Sequence, residues 1–157
     1  MVSEKFIQLP QGKLSYLHNQ HIKGQPCILA IHGWLDNAAS FTPLMNTLQQ
    51  YNWFAIDLPG HGHSFHRPEH SHYHFIDWVT DLISLHHVLF EGQKVHIVGH
   101  SLGGMLATVL SGLYPELVDK LVLIDAAGLV TQEPEHLAKN MRKALDSRRL
   151  VWKKSKR

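Results

Sequence analysis

Four short apolar runs recur along the chain, at residues 28–31, 53–56, 95–98 and 121–124, and the stretches between them carry helical periodicity. An uninterrupted apolar run of this length, stopped by turn residues, is the pattern of a strand buried on both faces. Ile28-Leu29-Ala30-Ile31 is stopped by His32-Gly33, and Trp53-Phe54-Ala55-Ile56 by Asp57-Leu58-Pro59-Gly60. Helical spacing follows over residues 40–50, with Phe41, Leu44, Met45 and Leu48 on one side. A longer amphipathic helix carries Phe75, Trp78, Val79, Leu82, Leu85 and Leu89, and a third runs over Leu102–Leu113. Phe6-Ile7-Gln8-Leu9 and Leu14-Ser15-Tyr16-Leu17 flank Gln11-Gly12-Lys13, which predicts an opening hairpin. Alternating buried strands and helices predict an α/β chain, a mostly parallel sheet with helices on both faces.

At 157 residues the chain fits one domain, and its 44% hydrophobic content supports a packed core. The single cysteine, Cys27, excludes an internal disulfide framework and any multi-cysteine metal site. Cys27 lies in an apolar run and reads as a small hydrophobe. No apolar run reaches the roughly 18 residues of a membrane span, and the N-terminal residues lack the apolar stretch of a signal peptide. These features predict a cytoplasmic protein.

The pattern with chemistry in it is Gly99-His100-Ser101-Leu102-Gly103. Gly-x-Ser-x-Gly between a strand and a helix puts a serine on a sharp turn, where flanking side chains would obstruct the close approach of the two elements. The Leu102 N–H then lies where an oxyanion would develop. A plain glycine-rich turn is the alternative, and the strand before and the helix after favour the nucleophile. A second loop, His32-Gly33-Trp34-Leu35-Asp36-Asn37, follows the first buried strand, and the Trp34 N–H is the natural second donor. Its indole also reads as a large residue closing the loop.

Three motifs thus stand in order: His32-Gly33-Trp34, Asp57-Leu58-Pro59-Gly60-His61-Gly62-His63-Ser64, and the serine turn. With them the chain resembles the α/β-hydrolase fold superfamily, and the run from His32 through Ser40-Phe41 is especially similar to serine hydrolase-like proteins. The resemblance extends to about Gly128. It implies Ser101 as nucleophile, Trp34 and Leu102 as oxyanion hole, a small-molecule acyl substrate, no cofactor and no metal, and a mainly structural loop at residues 57–64. A serine at this turn, instead of the aspartate of dehalogenases and epoxide hydrolases of the fold, implies ester or related acyl hydrolysis. The orienting acid and the histidine base follow the serine in chain order. Asp125 stands where some branches place the acid, with a cap or loop hydrogen bond as its other reading, and His136 is the one histidine after Ser101.

By this resemblance residues 1–128 form the N-terminal part of a hydrolase core, short of its last strands, and residues 129–157 the start of a cap region or a basic helical tail. The expectation is a truncated enzyme, or a silent domain that retains only a binding role. The strand at 121–124 would then be an exposed edge, open to a completing chain or a second copy. Charge divides at the same place. Residues 1–138 carry six Lys/Arg against twelve Asp/Glu, and residues 139–157 nine against one. Leu137, Met141, Ala144, Leu145 and Val151 share a helical face among those basic residues, which fits a cap helix or an anionic surface. Nucleic-acid and membrane partners are not expected. Six histidines between His61 and His74 could gather a metal, yet no HExxH or comparable ligand motif accompanies them, and they read as a polar loop.

Overall fold

The computed structural model describes residues 1–126. The proposed boundary at 128, the basic segment and His136 lie outside them. The elements run β1 (Ser3–Leu9), β2 (Gly12–His18), β3 (Cys27–Ile31), a 3-10 turn (Ala38–Phe41), α1 (Thr42–Thr47), β4 (Asn52–Ile56), α2 (Phe75–Phe90), β5 (Val95–His100), α3 (Leu102–Leu113) and β6 (Val118–Ile124). They build one sheet in the order β1-β2-β4-β3-β5-β6. The hairpin is antiparallel and joins β4 antiparallel, while β4, β3, β5 and β6 are mutually parallel. The α/β architecture with a mostly parallel sheet is therefore as the sequence predicts.

Strand alternation sends each apolar run to two cores, because successive side chains point to opposite faces. Leu29, Ile31, Phe54 and Ile56 join Trp78, Leu82, Leu85, Leu106 and Leu110 in a core under α2 and α3. Ile28, Ala30, Trp53, Ala55 and Val98 pack with Ala38, Phe41 and Met45 on the other face. Every residue of β4 is buried, which explains why the run shows no polar alternation.

One departure from the predicted elements has a local cause. The helix expected over residues 40–50 is a 3-10 turn followed by a short α-helix. Asn37 caps the turn by accepting the Ala39 N–H at 2.9 Å, and Pro43 sits in the first turn of α1, where its missing N–H costs nothing. His86 of α2 is fully buried, with Nε2 3.1 Å from the Leu117 carbonyl, and burial holds its pKa below the ordinary value. Burial also raises the pKa of the half-buried Cys27 thiol. Among the described residues β6 ends the sheet, and Val122, Leu123 and Ile124 are 51%, 42% and 40% exposed.

Candidate active site

The site begins at the join of β5 and α3. Ser101 holds φ 49° and ψ −115°, a left-handed backbone that L residues adopt only at a cost of about 1–3 kcal/mol. Its surroundings enforce that conformation. The Ser101 N–H donates to the Ile124 carbonyl at 3.0 Å, and the Ser101 carbonyl accepts from Gly104 and Met105 at 3.0 and 3.1 Å. A Cβ at Gly103 would collide with the Ile31 carbonyl, and one at Gly99 would stand 2.6 Å from the Gly104 Cα. Both flanking positions thus require glycine for close approach, since α3 starts against the end of β3 and against β5. Leu102 is the first residue of α3, so its N–H belongs to the turn that lacks intrahelical acceptors.

The loop after β3 comes to the same place. A Cβ at Gly33 would stand 3.4 Å from the Ser101 Cβ and 2.9 Å from the His100 Nδ1, so Gly33 lies directly beside the serine. Trp34 follows it, with a side chain in edge contact with His61 and Trp78. The structure therefore brings together Ser101, Leu102 and the Gly33-Trp34 segment. Asp125 is exposed at φ 48° and directly follows Ile124, whose carbonyl holds the Ser101 N–H. Ala126 lies over α3, where a Cβ at Gly104 would strike its side chain. Among the described residues no imidazole is hydrogen-bonded to the Ser101 hydroxyl. A cavity of about 610 Å³ opens beside the site, lined in part by Asp36, Phe41, Leu44, His100 and Ile124.

The segment at residues 57–64 is fastened to the Gly33-Trp34 loop by three hydrogen bonds. The Leu58 N–H donates to His32 Nε2 at 3.0 Å, the Leu35 N–H to His61 Nε2 at 3.2 Å, and the Ala38 N–H to Asp57 Oδ1 at 2.8 Å. His32 uses its other nitrogen on the Gly33 carbonyl at 2.7 Å, so Nδ1 carries the proton and the ring is neutral. Burial depresses the pKa of both His32 and His61. His32 thus packs and hydrogen-bonds.

The loop histidines divide by environment. His63 is exposed and pairs with Glu4 at 2.6 Å, which raises the His63 pKa and lowers that of Glu4. Glu4, Asp57 and His63 each offer a metal-ligating atom within 4.8 Å of the others. Those atoms already serve one another and the backbone: Glu4 also accepts from Ser15 at 2.8 Å, and Asp57 Oδ2 accepts the His63 N–H at 2.8 Å. Sequence reasoning missed Glu4, because β1 meets this loop only through the hairpin. It also missed the partnership of His61 with Leu35, although the motif itself marked the residue.

Similarity to known proteins agrees with this geometry. Residues 26–150 match the family model described as the alpha/beta hydrolase fold. A serine hydrolase-like protein of Danio rerio is 39% identical over 145 residues, covering 92% of this chain and 44% of its own length. One of Homo sapiens is 33% identical over 149 residues, covering 93% of this chain and 72% of its own. The crystal structure of a hypothetical protein from Pseudomonas aeruginosa superposes with a TM-score of 0.73 at 34% identity, over 92% of this chain and 51% of that one. The chain thus spans about half the length of the zebrafish relative and of that structure. No described helix is long and apolar enough to cross a membrane. With its three ordered motifs, its sheet order and these relatives, the chain belongs to the α/β-hydrolase fold family.

Proposed function

We propose that the chain carries the nucleophile half of a serine hydrolase acting on a carboxylic ester or a related acyl bond of a small molecule. The observation that supports this reading is Ser101 itself, at a left-handed φ between β5 and α3 with Gly33 against it. In the reaction an imidazole takes the Oγ proton as Oγ bonds to the acyl carbon. The carbonyl electrons move onto oxygen, where the N–H groups of Trp34 and Leu102 stabilise the charge. Collapse of this intermediate expels the alcohol, which leaves with the proton held by the imidazole. Water then cleaves the acyl-enzyme by the same route.

The base follows the serine in chain order in this fold and comes from outside residues 1–126. Asp125, directly after β6, is the candidate carboxylate to orient it. The names of the relatives, serine hydrolase-like, support the nucleophile assignment. A single cysteine suits a reducing cytoplasmic setting. A fluorophosphonate probe followed by intact-mass measurement tests the reading. One adduct is expected on the wild type and none on Ser101→Ala. Absence of an adduct on folded wild type, or an adduct that survives Ser101→Ala, overturns the reading for this chain.

A further inference from the structure

The segment at residues 57–64 reads from the motif as structural, yet one of its side chains reaches the oxyanion loop directly. His61 lies between Gly60 at φ 87° and Gly62 at φ 50°, and its own N–H donates to the Leu58 carbonyl at 2.9 Å. Its ring is enclosed by His32, Trp34 and Trp78, with centroids 5.1, 5.8 and 6.1 Å away. The imidazole therefore has a fixed place and a fixed direction. Nε2 points at the Leu35 N–H at 3.2 Å, and Leu35 is the residue after Trp34. Leu35 is 78% exposed and sits at φ 57°. A left-handed leucine costs roughly 1–2 kcal/mol, so this turn needs something to hold it. The Asp36 N–H bond to the Gly33 carbonyl, at 3.4 Å, is long and holds little.

Resting on the reading of Ser101 as nucleophile, we propose that His61 is a positioning residue for the oxyanion loop. Its neutral imidazole accepts the Leu35 N–H and so keeps the strained Trp34-Leu35 turn beside the serine. The bond fixes the tautomer. A bare Nε2 places the ring proton on Nδ1, a buried atom without a hydrogen-bond partner among the described residues. An imidazolium would present a second N–H to the Leu35 N–H, and the turn would be released. Burial disfavours that cation, as does the neighbouring His66, while the Pro59 backbone and Asp57 favour it; His32 on this face is neutral and α2 contributes the uncharged Trp78. The site thus borrows the acceptor for its oxyanion loop from the second motif.

The test follows amide hydrogen exchange residue by residue in the whole 157-residue chain. His61→Leu removes the acceptor and keeps an apolar filling, and His61→Gln offers an oxygen close to the Nε2 position. Exchange at Leu35 is expected to accelerate about tenfold or more in His61→Leu and to return toward wild type in His61→Gln, with Leu58 and Ala38 little changed. In wild type, after correction for intrinsic exchange, protection of Leu35 should fall only at pH below the ordinary imidazole range, where the buried His61 takes up a proton, and in His61→Gln it should not. Unchanged Leu35 protection in His61→Leu overturns the proposal. Should that variant fail to fold, the pH comparison of wild type with His61→Gln decides in its place. Where wild type takes up the fluorophosphonate, His61→Leu should slow labelling about tenfold or more, and unaltered labelling despite lost protection also overturns it. A wild type that is never labelled rejects the serine reading alone, and Leu35 protection still decides whether His61 holds the turn.

Discussion

The Asp57 carboxylate is 5% exposed and accepts two backbone N–H groups, from Ala38 and from His63, each at 2.8 Å. One oxygen therefore ties down the segment after β3 and the other shapes the segment after β4. Hydrogen bonds to a charged acceptor are worth about 1.5–3 kcal/mol each, and a buried donor left without a partner adds its own penalty. Asp57→Ala is expected to lower stability by about 2–4 kcal/mol in urea denaturation. Asp57→Asn, which keeps one acceptor oxygen, should lose about half as much. A loss in Asp57→Ala with none in Asp57→Asn would show that the side chain acts by filling space. Gly99, Ser101 and Gly103 were legible because the chemistry of the turn is written in their spacing. The partners of Asp57 were not, since the hydrogen bond to Ala38 spans 19 residues and joins loops that only the folded sheet brings together.

At the scale of elements, the strands β3, β4 and β5 and the long helices were legible from apolar runs and periodicity, because burial on both faces leaves no polar alternation, whereas β6, read from its apolar run as buried, is exposed among the described residues. The start of β6 was not legible: Val118-Asp119-Lys120 is only partly apolar, and its pairing with β5 includes an irregularity at Val95 and His96. Nor does the pattern show how α2 is anchored. Asp81 on its inner face is buried and receives Arg67 Nη2 at 2.7 Å, with the arginine side chain 18% exposed. Burial raises the Asp81 pKa and Arg67 counteracts part of that rise. Arg67→Met leaves the carboxylate unpaired and should cost about 2–4 kcal/mol at pH 7, somewhat less than loss of a fully buried pair. The sign of its pH dependence follows from the raised value. A carboxyl whose folded pKa lies above its unfolded value favours the folded state at low pH, and that contribution is lost as pH rises through the folded pKa. The gap between Arg67→Met and wild type should therefore narrow from pH 7 to pH 5 as Asp81 takes up a proton in the variant. Melting curves at the two pH values measure it, and a gap that widens toward pH 5 would contradict this account of Asp81.

For the molecule as a whole, the consequence of the sheet order is asymmetric. At one end β1 is a hairpin strand carrying Lys5 and Glu4, and charged side chains of this kind discourage edge pairing. At the other end β6 presents Val122, Leu123 and Ile124 to solvent, and among the described residues it has no neighbour beyond β5. Val122 pairs in register with Val98 and so faces the core that Phe41 and Met45 occupy, at a part of the sheet those residues do not reach. Unpaired backbone groups and an apolar face together make a template for another strand. The chain is therefore expected to self-associate with rising concentration, giving a mass above 17.9 kDa in light scattering. Val122→Lys places a charge on the edge that pairing would have to desolvate, and should move the mass toward 17.9 kDa without lowering the helix signal in circular dichroism. A wild type that stays at the monomer mass at every concentration would mean that the face of β6 is already covered, and a Val122→Lys variant that associates as strongly as wild type would move the contact to another surface.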